Sequence, residues 1–104
     1  MKAKIALLTF SETRDEFYEK RKHLVVEEIQ KVKQALARQV EILDFPEIRD
    51  KRQAGRWVAE AQRQGIDAAI LHIPIWSSPN LAVSAARILD VPMLVLGNER
   101  LETV

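Results

Sequence analysis

The chain has 104 residues, enough for one domain and too few for a second packed core. With 16 Lys plus Arg against 15 Asp plus Glu, its formal charge of +1 gives no electrostatic reason to bind nucleic acid or an anionic membrane. The absence of cysteine excludes disulfides and zinc-thiolate sites and fits a cytoplasmic protein.

The first apolar run, Lys4 to Phe10, predicts a strand and is too short for a signal peptide or a membrane span. A helix follows over about Asp15 to Arg38, with an inward stripe of Phe17, Val25, Ile29, Val32 and Leu36. Val40 to Phe45 predicts a second strand, stopped by Pro46. The next helix, about Asp50 to Gln64, turns Ala54, Trp57 or Val58, and Ala61 inward, and Gly65 occupies its C-terminal cap position.

Ile66 to Ile73 is apolar on both faces, as suits a central parallel strand. Ser78 followed by Pro79 starts a third helix, which presents Leu81, Ala85, Ile88 and Leu89. Pro92 to Leu96 predicts a fourth strand ending at Gly97. The order βαβαβαβ predicts a single α/β domain over 1–104, a three-layer parallel sheet of four strands. A flavodoxin-like order 2-1-3-4 is expected, with a Rossmann-like order as the alternative. No helix is predicted to cover strand four, so the sheet reads as incomplete at its C-terminal edge. The expectation is an N-terminal fragment of a longer protein.

In an open parallel sheet, ligands bind beyond the carboxyl ends of the strands where the strand order reverses. For 2-1-3-4 the walls of that crevice are "FSETR" (10–14) and "PIWSSPN" (74–80). They offer Arg14, Trp76, Ser11, Thr13, Ser77, Ser78 and Asn80: a fixed cation, one large apolar face and several neutral hydrogen-bonding groups. That mixture suits a polyhydroxylated ligand, whose C–H face packs on indole while its hydroxyls need donors and acceptors. Each has a plainer role as well. Arg14 reads equally as a solvated first-turn residue, Trp76 as a lid on the sheet end, and Ser77 and Ser78 as helix caps.

His72, inside the apolar third strand, reads as a satisfied core histidine, and it is not spaced with His23 as a metal pair. Asp44 stands where dinucleotide folds place a ribose-binding acid, but the first loop lacks the glycines of the pyrophosphate fingerprint. Two alternatives stay open. One is a flavodoxin-like small-ligand or FMN-binding module, using the hydroxyl-rich first loop as a phosphate cradle. The other is a non-catalytic interaction domain that pairs through its uncovered edge strand.

At the same two loops the chain resembles the L-fucose isomerase and L-arabinose isomerase family, over essentially its whole length as that family's N-terminal domain. The likeness is carried by "FSETRDEFYEKR", "DAAILHIPIWSSPNLA" and "VPMLVLGNERLETV", in that order and spacing. The resemblance implies part of an oligomeric ketol isomerase that moves a proton between neighbouring carbons through an ene-diol. It implies a divalent metal, typically manganese, held by carboxylates in later domains, so no metal ligand or catalytic residue is expected in this chain. It also implies that Arg14 and Trp76 form a wall over a sugar substrate shared with a neighbouring subunit of a homo-oligomer. On that reading the chain alone is not catalytic.

Overall fold

In the computed structural model, residues 2–11, 15–74 and 79–97 are described, with the side chains of Phe17, Pro79 and Asn80 left aside. Seven elements alternate: β1 (Ala3–Thr9), α1 (Asp15–Leu36), β2 (Val40–Asp44), α2 (Lys51–Arg63), β3 (Ala68–Ile73), α3 (Pro79–Ile88) and β4 (Met93–Gly97). The four strands form one parallel sheet in the order β2-β1-β3-β4, the flavodoxin-like order expected from the sequence.

The registers explain how one sheet serves two cores. Ala6 and Leu8 of β1 stand beside Ala69 and Leu71 of β3, facing α2 and α3. Leu7 and Ile70 alternate to the other face and meet Val25 and Ile29 of α1. The α2/α3 side holds the larger core, with Phe10, Ile48, Val58, Ala61, Leu81 and Ala85. Both inward candidates of α2 are used: Val58 is fully buried, and Trp57 is half-buried, its ring centroid 6.0 Å from that of Phe45.

α2 carries its boundary signals as read. Asp50 sits in an extended conformation, and its carboxylate accepts from the Gln53 N–H at 2.8 Å. The Gln53 side chain returns the bond, accepting from the Arg49 N–H at 2.7 Å. That exchange is a shifted form of the capping box. Gly65 closes the helix with φ of +73°, a left-handed conformation that L side chains adopt at a cost. β3 starts later than its apolar pattern suggests, because Asp67 is used as a clasp. Its N–H donates to the Lys4 carbonyl at 2.8 Å, and its carboxylate accepts from the Lys4 N–H at 2.7 Å.

The two glycines of this region should respond oppositely to alanine. Neither Gly55 nor Gly65 has an atom within 4 Å of where a Cβ would stand, so packing does not decide either case. Gly55→Ala within α2 should raise stability by about 0.5–1 kcal/mol. Gly65→Ala should lower it by about 1–2 kcal/mol, since only its left-handed backbone is at stake. Urea denaturation of the two variants checks both signs at once.

One inward assignment is corrected. Ile88, placed on the packing face of α3 by periodicity, is 48% exposed. It is the last residue of α3, and the sheet beneath it runs out at edge strand β4. Among the described residues, no helix is long and apolar enough to cross a membrane.

Candidate functional site

β1 and β3 are neighbours, yet the helices that follow them pack on opposite faces, α1 on one and α3 on the other. Strand order therefore reverses between them, and a crevice opens beyond their carboxyl ends. Phe10 and Ser11 follow β1, and Pro74 follows β3, at this edge of the sheet. Arg14, Thr13, Trp76 and Ser77 lie outside the described residues. Asn80 is the second residue of α3, with its side chain not described. Ser11 is described and is fully buried.

The carboxyl edge is extended by a piece of chain that the strand pattern did not reveal. After Pro46, Ile48 pairs with Phe10 as a parallel bridge. The Ile48 N–H donates to the Thr9 carbonyl at 2.8 Å, and the Ser11 N–H donates to the Ile48 carbonyl at 2.9 Å. On the other side the Phe10 N–H donates to the His72 carbonyl at 2.8 Å. Phe10 is thus laced on both sides, and its ring is wholly buried in the α2/α3 core.

On the α1 face the chemistry changes toward this edge. Below, Leu7, Ile70, Val25 and Ile29 make a dry layer. Above, Thr9 and His72 are register partners, with Thr9 Oγ1 and His72 Nδ1 3.1 Å apart. His72 is the satisfied buried histidine the sequence suggested, 2% exposed. Burial pushes its pKa below the ordinary value, with Glu28 pulling weakly the other way, so the ring is neutral at pH 7.

Beside Ser11, the β2–α2 loop and the first turns of α1 build a polar cluster. The Arg49 guanidinium lies 3.8 Å from the centroid of the Tyr18 ring and bonds Asp15 at 2.6 Å. The Tyr18 hydroxyl faces Glu47 Oε2 at 3.4 Å. Burial raises the Tyr18 pKa, as does the Glu47 charge, keeping the phenol protonated at neutral pH. Among the described residues, two buried oxygens here have no hydrogen-bond partner: Ser11 Oγ and Glu47 Oε1. Such atoms are costly to leave unmatched.

Tyr18, Glu47 and Arg49 were absent from the sequence-based candidate set. The available signal was the alternation Glu47-Ile48-Arg49 after Pro46, polar to either side of one apolar residue, which is one further strand step. Elsewhere, a cavity of 630 Å³ opens at the opposite, amino end of the sheet, lined by Lys2, Lys4, Lys33 and Glu41. Two of its lysines are engaged, Lys33 with Asp44 and Lys2 with the Ala37 carbonyl.

Among the described residues, no group of three or more His, Cys, Asp or Glu could hold a metal ion. The resemblance implies metal ligands in later domains, and no chemical step is routed through a metal here. Comparison with family models, with curated proteins and with solved structures finds no match to this chain.

Proposed function

We propose that this domain supplies a substrate wall to a metal-dependent aldose–ketose isomerase of the L-fucose and L-arabinose type. In this role it positions sugar and leaves the proton transfer to residues outside it. Arg14 and Trp76 would carry the wall, Arg14 bonding adjacent sugar oxygens and Trp76 packing on a C–H face, with the substrate shared with a neighbouring subunit. The observation that supports this reading is the β2-β1-β3-β4 order. It sets the carboxyl ends of β1 and β3 side by side, and Arg14 and Trp76 follow those two strands in the sequence.

A flavodoxin-like module is the second reading, favoured by that same strand order and by a hydroxyl-bearing loop leading into α1. The Glu47 carboxylate, next in sequence to the Ile48 that bonds Ser11, weighs against a phosphate there. A flavin-bound chain would be yellow, and that colour alone would favour it.

Two measurements test the isomerase reading. The purified chain should show no turnover of any pentose or deoxyhexose with Mn²⁺, and robust metal-dependent turnover would overturn the assignment. Titration with pentitols and deoxyhexitols should change tryptophan fluorescence in a Trp57→Phe background. Adding Trp76→Ala should abolish the signal and weaken binding at least about tenfold by calorimetry, roughly 1.4 kcal/mol. Arg14→Ala should weaken binding without lowering Tm. If polyol affinity is the same with and without Trp76 and Arg14, they are not a sugar wall.

A further inference from the structure

Three consecutive residues after Pro46 hold the junction between β1 and α1. Ile48 does so through its backbone, bridging Phe10 and accepting from the Ser11 N–H at 2.9 Å. Its neighbours act through side chains that turn toward α1, as the alternation of an extended chain directs. The Glu47 carboxylate accepts from the Tyr18 hydroxyl at 3.4 Å. The Arg49 guanidinium bonds Asp15 at 2.6 Å and lies 3.8 Å from the centroid of the Tyr18 ring. Asp15 and Tyr18 are three residues apart on α1, so they share one face of its first turn.

Arg49 is itself held in place. Its N–H donates to the Gln53 side chain at 2.7 Å, within the capping exchange that starts α2. Its side chain is 25% exposed, while that of Asp15 is 91% exposed. An ion pair so open to water adds little to stability, and its consequence is geometric. Ser11 stands before residues 12–14 and Asp15 after them, and the two are tied to adjacent residues, Ile48 and Arg49. The gap that those residues span is thereby set from one segment. Arg14 immediately precedes Asp15, and consecutive Cα atoms lie about 3.8 Å apart, so the anchor at Asp15 limits where Arg14 can stand.

We infer that Arg49 is a positioning residue for ligand binding at this edge: by gripping the first turn of α1, it fixes the anchor from which Arg14 reaches the ligand. The inference rests on the sugar-wall reading, in which Arg14 bonds adjacent sugar oxygens. Arg49 acts through Asp15 and not by touching the ligand.

The test measures pentitol affinity by calorimetry on the 104-residue chain, on Arg49→Gln, on Asp15→Asn and on the two changes combined. Each single change should weaken binding about tenfold, since small misplacements of a binding group are costly. The double variant should bind no more weakly than either single one, because both changes remove the same link. Arg49→Lys, which keeps a cation opposite Asp15, should recover part of the loss. Asp15→Asn leaves the contact of Arg49 with Tyr18 in place, and its urea midpoint should stay close to the parent's. Unchanged affinity in both single variants overturns the inference, and leaves the sugar wall standing if Arg14→Ala still weakens binding. A loss confined to Arg49→Gln, or losses that add in the double variant, overturn it too, since either means that Arg49 acts without Asp15. A parent chain with no pentitol affinity overturns the sugar-wall reading and this inference together.

Discussion

Phe10→Ala is expected to destabilise the domain by about 3–5 kcal/mol, the range for removing a fully buried phenylalanine. Phe10 has no exposed surface, and its ring fills the α2/α3 core together with Ile48, Ala54 and Leu81. Domains of this size are stable by only about 5–15 kcal/mol, so the variant should be partly unfolded at modest temperature. The effect reaches the site as well as the core. Phe10 lies between the His72 carbonyl on one side and Ile48 on the other, and Ser11 is tied to Ile48 by its own N–H. Losing the ring loosens the anchor that ties the end of β1 to Ile48. Urea denaturation should show a lower midpoint with an unchanged m-value. Val26→Ala, at a side chain 50% exposed on α1, should stay within about 0.5 kcal/mol of the parent. Equal effects at the two positions would mean that the core has been misplaced.

How far the chain could be read before its structure depended on the range of the interactions involved. The alternation of strands and helices is written in local periodicity, and the caps at Asp50 and Gly65 are written in single residues, so both were legible. The strand order was legible only as one of two, since crossover length and handedness allow a Rossmann-like order as well as the 2-1-3-4 order observed. The Phe10–Ile48 bridge was hidden because it joins residues 38 apart, beyond the Pro46 that stops the second strand's pattern. The stacking of Arg49 on Tyr18 was hidden for the same reason, since α1 and the β2–α2 loop meet only after folding. Arg14 and Trp76 could be found from sequence only by the logic of the switch point and by resemblance, and they lie outside the described residues. The apolar run of β4 was plain, but that its side chains would stand exposed on both faces was not. Hydropathy marks what seeks burial and is silent on which chain supplies the cover.

His72 should make the domain acid-labile in a window set by its own ring. Burial against Thr9 and the α1 layer holds its folded pKa below the ordinary 6.5, with Glu28 opposing only in part. In the unfolded chain the ring takes up a proton as the pH falls through about 6.5. The folded ring resists until a lower pH, so across the interval the unfolded state binds more protons and stability falls with pH. The contribution is therefore complete above 6.5 and is lost as the pH drops toward the folded value. Glu60, whose pKa is lowered by Arg63, loses its own contribution only below 4.5, outside this window. Between pH 7.5 and 5.5 the urea midpoint of the parent should drop measurably. His72→Gln, which can keep a hydrogen bond to Thr9 without titrating, should flatten most of that drop while lowering stability at pH 7.5. An undiminished slope in His72→Gln would move the acid sensitivity elsewhere. A flattened slope would establish that the polar layer under α1 is held together by a neutral imidazole.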